Sequence, residues 1–96
     1  MILEIITPEE TIINAEVNSV QFPGVKGSFQ VLNNHAAIVS SLAKGDVKME
    51  LANSYRNMEE IHNSLDKDNG NDHILRYAIK GGVMEMSDNK IIVLAD

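Results

Sequence analysis

The sequence predicts an all-β domain, a sandwich or barrel, and three observations lead there. Short apolar runs recur along the chain with turn residues between them, the spacing of an antiparallel all-β fold rather than of alternating strands and helices. Several of those runs alternate apolar and polar residues with period two, as half-buried strands do. The core must also be built from Ile, Val, Leu and Met, because there is no Trp and the only aromatic residues are Phe22, Phe29, Tyr55 and Tyr77. Aliphatic inventories of that kind suit packed strands. Ninety-six residues are enough for one core and no second, so residues 1–96 read as a single domain. With 44% hydrophobic and 23% charged residues the chain lies far from disordered compositions.

Taken in order, Ile2 to Ile6 is the first strand, closed by Thr7-Pro8. Thr11 to Ile13 and Ala15 to Phe22 follow, with Val20 and Phe22 pointing inward and Ser19 and Gln21 outward. Pro23-Gly24 predicts a turn. Ser28 to Leu32 is the next strand, ended by Asn33-Asn34, and Ala36 to Leu42 continues the series. After Lys44-Gly45-Asp46, the residues Val47, Met49 and Leu51 alternate with Lys48 and Glu50 as a half-buried strand. The pattern changes in an insert near 53–72: Leu51, Tyr55, Met58, Ile61 and Leu65 are spaced by three or four, which predicts a short amphipathic helix. Asp66 to Asp72 then reads as a mobile polar loop. Strands resume at Ile74 to Ile79, and Val83 to Met86 with Lys90 to Leu94 around Ser87-Asp88-Asn89 predicts a closing hairpin.

Charge and composition exclude several functions. Fourteen acidic and eight basic residues give a net charge of -6, which disfavours nucleic acid and anionic lipid as direct partners. No cysteine is present, so disulfides and thiolate metal sites are out. The opening Met1-Ile2-Leu3-Glu4-Ile5-Ile6 has no positive n-region and is too short to span a bilayer, so the expectation is a cytoplasmic chain.

No catalytic constellation emerges. His35, His62 and His73 supply the number of ligands a catalytic zinc needs, but His62 falls in the expected helix and His73 beside the expected mobile loop, and ligands need rigid placement. Glu9-Glu10 and Glu59-Glu60 are adjacent in sequence, so each pair diverges and cannot share a substrate. Gly81-Gly82 lacks the Lys-Ser or Lys-Thr ending of a phosphate loop and reads as a close backbone approach or a bulge. Ser40 and Ser41 have no Gly-x-Ser-x-Gly frame. No metal and no cofactor is therefore expected. The segment Gly24 to Ala36 remains, dense in special-backbone and polar residues. Tight turns and a recognition loop on a rigid scaffold both account for it, and the residues alone leave both open.

Three blocks carry a resemblance. Leu3-Glu4-Ile5-Ile6-Thr7-Pro8-Glu9 looks like the opening of ATP synthase epsilon subunits. Phe22-Pro23-Gly24-Val25-Lys26-Gly27, followed by Phe29 to Ala36, is similar to the family's Pro-Gly-x-x-Gly segment and its Asn-His-Ala turn. Gly81 to Glu85 with Asn89 to Asp96 resembles its closing hairpin. The resemblance implies a flattened β-sandwich of about ten strands that grips the gamma subunit and rests on the c-subunit ring, at the cytoplasmic face of a bacterial inner membrane. It implies no chemistry. Carried over, the loop Lys26, Gly27 and Ser28 would touch the c ring, and His35 and Ser40 would lie toward gamma. Ser28 stands where many relatives carry an acidic residue, and Ala37 and Ala43 replace prolines common in the family. The insert is longer than the family's usual connection. Relatives continue past the position of Asp96 into a two-helix domain with an Arg- and Ala-rich nucleotide motif that has no counterpart here, so no nucleotide binding is expected; a naturally short subunit and a cut one both fit.

Two rival functions differ in what they require. A free-standing β-sandwich ligand-binding module needs a deep pocket with converging polar groups, and a metal-dependent enzyme needs His35, His62 and His73 within coordination distance. The stalk reading instead requires an apolar patch larger than a monomer normally exposes.

Overall fold

The computed structural model describes residues 1–96 as nine strands and one 3-10 turn: β1 Ile2–Ile6, β2 Thr11–Gly24, β3 Gly27–Leu32, β4 Ile38–Leu42, β5 Gly45–Leu51, the 3-10 turn Tyr55–Asn57, β6 Leu65–Lys67, β7 Ile74–Ile79, β8 Gly82–Ser87 and β9 Lys90–Ala95. The predicted all-β fold is what is seen. Where the sequence suggested two strands, Thr11 to Gly24 forms one of 14 residues. Its first half pairs with β1, and its second half, from Val17 on, pairs with β3 and β5. One layer therefore runs β4-β8-β9-β1-β2 and the other β3-β2-β5-β7-β6, with β2 common to both. Only β1 and β9 pair in parallel.

Alternation along the strands supplies the core. Leu3, Ile5, Met84, Met86, Ile91 and Val93 from one layer meet Val20, Phe22, Val31, Val47, Met49 and Leu75 from the other in a single cluster of 22 buried residues. The predicted inward set of Val47, Met49 and Leu51 and of Val20 and Phe22 is buried. No polar side chain is buried, as expected of a core that satisfies its polar groups through the strand ladders.

A strand shared between two layers leaves the sandwich open along two sides. Beside β3 and β4 the gap is closed by the Gly24–Leu42 pairing and by hydrogen bonds from Val25 N to Ser41 O (3.3 Å) and from Ala43 N to Pro23 O (2.7 Å). Pro23 and Gly24 are thus strand residues, and the turn lies two positions later at Val25-Lys26, between the paired Gly24 and Gly27. On the opposite side the insert arches across, packing Met58 and Ile61 against the core. His62 fastens it, with Nε2 3.0 Å from Glu10 Oε1 and Nδ1 accepting from Ser64 N at 3.0 Å.

The insert is not the expected amphipathic helix. Helix covers only Tyr55–Asn57, and Leu65–Lys67 pairs with β7 as a strand. Asn53, Ser54, Asn57, Asn63 and Ser64 favour caps and turns over helix interiors, and Ser54 does cap the turn, accepting from Arg56 N at 3.1 Å while donating to Asp72 Oδ2 at 2.7 Å. Nor does the stretch after β6 hang free. Asp68 accepts from Arg76 Nη1 (2.9 Å), from Gly70 N (3.0 Å) and, through its carbonyl, from Tyr55 Oη (2.9 Å). The closing hairpin forms as predicted, with Asp88 and Asn89 both at positive φ (51° and 59°), the conformation that suits a two-residue hairpin loop.

Gly82 makes the predicted close approach: a Cβ there would run into the carbonyl oxygen of Leu94, at φ +155°. Gly82→Ala should therefore cost about 3 kcal/mol, or roughly 15 °C in Tm for a domain of this size. Gly27→Ala, at φ +122° but with nothing within 4 Å of the new methyl, should cost only about 1 kcal/mol. Thermal unfolding of the two variants checks the difference; equal losses would place the constraint at Gly82 in its torsion angle and not in the contact.

A second outcome concerns acid. The Arg76 hydrogen bond, and after it the Gly70 N–H, hold the Asp68 carboxyl below its ordinary value of 3.8. A depressed carboxyl pKa contributes stability that is complete above the unfolded value and is lost as pH falls through the folded one. Arg76→Met should therefore raise the pH at which the chain acid-unfolds, while leaving the pH dependence above about pH 5 unchanged. Circular dichroism from pH 7 to about pH 2 reads this, and an unaltered acid midpoint would remove Asp68–Arg76 from the account.

Candidate functional site

Two surfaces stand out on this scaffold. The first is the outer face of the layer β4-β8-β9-β1. Residues directly opposite on paired strands share a face, and the registers align Ser41, Val83, Leu94 and Ile6 in one row and Val39, Glu85, Ile92 and Glu4 in the next. Val39, Val83 and Leu94 are 67%, 43% and 56% exposed, and Ile6 and Ile92 are half-buried beside them. One ion pair, Lys90 Nζ to Glu4 Oε1 at 3.8 Å, edges the patch. The other layer presents mainly polar residues outward, among them Ser19, Gln21, Gln30, Lys48 and Glu50, with Leu32, opposite Ser19, a single exposed apolar side chain and no patch. Contiguous exposed apolar surface on one face only is the mark of an interaction surface.

The second surface is the tip of the β2–β3 hairpin. Val25 is 60% exposed, and the two-residue turn with Lys26 projects between Gly24 and Gly27. A Cβ on Gly24 would meet Gly27 O at 2.6 Å and the Phe29 ring at 2.8 Å, so the strands can close this tightly only around glycine. A shallow groove of about 300 Å³ beside the tip is lined by Lys26, Gly27, Phe29, Val39, Ser40 and Ser41 among others.

The residues singled out from the sequence divide between the two ends of β4. Lys26, Gly27 and Ser40 border that one groove, and Ser28, exposed, pairs with Pro23 just behind the tip. Ser40 lies opposite the buried Met84, so it belongs to the inner rim of β4 and its hydroxyl donates to Ser41 O at 3.3 Å. His35 is at the far end. Its exposed ring bonds through Nδ1 to Ala36 O at 2.7 Å, and its turn is tied down by Asn34 N to Asn89 Oδ1 (2.8 Å) and Asn89 Nδ2 to Asn33 Oδ1 (3.0 Å).

Val39, Val83 and Leu94 were not singled out beforehand. Their signal was present: Ile91-Ile92-Val93-Leu94 is apolar at every position, which a strand needs only when both of its faces are to be covered.

The three histidines sit apart, each with a local partner: His35 at Ala36 O, His62 at Glu10, and His73 at Leu51 O (2.9 Å). No group of three or more His, Asp or Glu side chains is gathered for a metal. A groove of about 380 Å³ beside the insert is open. Near it the Tyr77 phenol is pushed above its usual value by burial and then by the negative charges of Glu10 and Glu9.

Compared with known proteins, the sequence matches the family described as ATP synthase, Delta/Epsilon chain, beta-sandwich domain over residues 1–96. It is 34% identical over 94 residues to the ATP synthase epsilon chain of Chlorobaculum tepidum, covering 98% of this chain and 86% of that one. Against the epsilon chain of Salinibacter ruber it is 34% identical over 96 residues, but spans only 56% of that relative's length. A chain of the Tetrahymena thermophila mitochondrial ATP synthase central stalk and c ring, seen by cryo-EM, superposes with a TM-score of 0.69 over 99% of this chain and 62% of that one. At 15% identity that likeness speaks for the fold alone.

Proposed function

The chain belongs to the ATP synthase delta/epsilon β-sandwich family, and from that premise we propose that residues 1–96 are the sandwich domain of an epsilon subunit, a non-catalytic rotor part of the central stalk. In this reading it links the gamma subunit to the c ring and so couples ion flow through the membrane to ATP synthesis in the catalytic head. It is held peripherally on the cytoplasmic face of a bacterial inner membrane through those partners. No helix of the chain is long and apolar enough to cross a membrane.

The observation that carries the proposal is the apolar outer face of β4-β8-β9-β1. Full burial of a Val or Leu side chain is worth about 1.5–3 kcal/mol, so Val39, Val83 and Leu94 together represent a strong drive toward a partner. Gamma is the natural occupant of a face this broad, and His35, one of the two residues that the family resemblance directs toward gamma, lies just before β4; Ser40, the other, is in the middle of β4 and opposite the buried Met84. The hairpin tip is left for the c ring: Val25 and Lys26 project from a turn that the Gly24–Leu42 pairing braces against β4. Contact there is small, polar at Lys26 and Ser28, and separate from the gamma face.

Torque transmission needs stiffness between two contact surfaces, and interiors packed near crystal density supply it. A gamma interface of standard size buries about 1,200–2,000 Å² in total.

The test is complex formation with the cognate gamma subunit by gel filtration and calorimetry. Val83→Glu and Leu94→Glu, both on the exposed face, should each weaken the complex by at least about tenfold without lowering Tm, and a charge at His35 or Ser40 should weaken it less. Lys26→Glu should leave gamma binding unchanged and reduce retention on c-ring membranes. A wild-type complex indifferent to charges at Val83 and Leu94 would sink the assignment of this face.

A further inference from the structure

The open side beneath the insert holds a feature that the rotor reading leaves unused. Thr11, Ile12, Ile13 and Asn14 all line one groove of about 380 Å³, together with Met58, Leu65, His62 and the carboxylates Glu10 and Glu60. The strand is bulged here: its register against β1 slips between Ile13 and Thr11, leaving Ile12 without an opposite residue, and Ile12 and Ile13 are both buried, so all four residues border the groove along one strand edge instead of alternating between faces. That edge has no partner. β2 pairs with β1 along one side of this stretch, while β5, its neighbour on the other side, begins only at Val17, and no loop backbone group bonds to Thr11 through Asn14.

Unpaired strand edges are templates for another strand, and proteins usually blunt them with Lys, Pro or a covering element. Thr11-Ile12-Ile13-Asn14 carries neither Lys nor Pro, and its one irregularity is the bulge at Ile12. The insert stands over it instead, fastened by His62 to Glu10, and leaves the groove open below. Four strand residues offer about 13 Å of edge, room for a short extended segment. The floor is apolar through Ile12, Ile13, Met58 and Leu65; the rim is acidic through Glu10 and Glu60, and no Lys or Arg lines it. Glu9 and Glu59, both exposed, add to the negative field.

We infer that the β2 edge beneath the insert is a strand-addition site for an extended basic segment of a partner protein. Backbone pairing to Thr11–Asn14 gives the affinity, as in other strand-addition complexes. Alternation gives the selectivity, with small aliphatic side chains on the Ile12–Met58–Leu65 floor and Lys or Arg against Glu10 and Glu60. The site lies on the side of the sandwich away from the β3/β4 closure and does not depend on which protein docks on the apolar face.

The probe is a capped pentapeptide, Lys-Val-Lys-Val-Lys, titrated into the nitrogen-15-labelled 96-residue chain, with Glu-Val-Glu-Val-Glu as its charge-reversed control. Amide shifts confined to Thr11–Asn14 and to the insert around Met58 to Leu65 are expected for the basic peptide, with no response to the acidic one. Glu59 and Glu60 are exposed and, unlike Glu10, hold no other group in place, so Glu59→Lys combined with Glu60→Lys should keep the folded spectrum and bind at least about tenfold more weakly. Absence of shifts at millimolar peptide, shifts that map to another face, equal response to the acidic control, or undiminished binding by the folded double variant would each overturn the inference.

Discussion

The passage of β2 from one layer to the other is the constraint on which this domain depends. Its ladder changes partner at Glu16–Val17, and its pairing with β5 is irregular between Val17 and Ser19, the sort of bulge that bends a strand and sharpens its twist. The bend is held from several directions. Val17 is fully buried, its N–H donates to Met1 O at 2.8 Å, and Ala52 N donates to Glu16 O at 3.0 Å. Because one continuous strand belongs to both layers, neither can slide against the other without breaking its own ladder. The same economy leaves two open sides, and the chain closes them differently: by backbone pairing at Gly24–Leu42 and by an insert with apolar residues beneath it.

That division of labour explains where the free surfaces are. Residues that seal the sides are occupied with closure, so the broad outer faces of the layers remain for other uses. One is polar and suits water. The other carries Val39, Val83 and Leu94 in the open, although β4, β8 and β9 already bury Leu42, Met84, Met86, Ile91 and Val93 on their inner side. Apolar residues on both faces of the same strands serve no purpose in an isolated monomer, since the inner set alone completes the core.

How far the sequence foretold this depends on whether the governing contacts are local. Period-two alternation at Val47, Met49 and Leu51 is a local property, and it read correctly. So did the Asp88-Asn89 hairpin, whose turn residues tolerate the positive φ they adopt. The insert misled because Tyr55, Met58, Ile61 and Leu65 have helical spacing for a non-helical reason: Met58 and Ile61 plug a gap while Leu65 pairs in a sheet. That gap exists only once both layers have formed, so no window of sequence contains it. Ser40 was placed near the site yet turned inward, since register against Met84 decides its face and register is a long-range fact. The Pro23-Gly24 turn was displaced for a similar reason, as tight pairing with Gly27 and Leu42 keeps both residues in the strand.

The two proposed contact surfaces also differ in stiffness in a way that matters for a rotor. Val83 and Leu94 sit on strands with partners on both sides, so a force applied there spreads through several ladders and into a core without buried polar defects. Val25 and Lys26 sit on a two-residue turn whose bracing is the single Gly24–Leu42 pairing and two hydrogen bonds. A tip of that kind yields before the sheet does. If gamma is held by the sheet face and the ring is touched by the tip, compliance is concentrated at the ring contact and the grip on gamma stays rigid. The reverse arrangement would place the compliant element between the domain and the shaft it must follow, whereas the bend of β2 is buried and its end braced against β4.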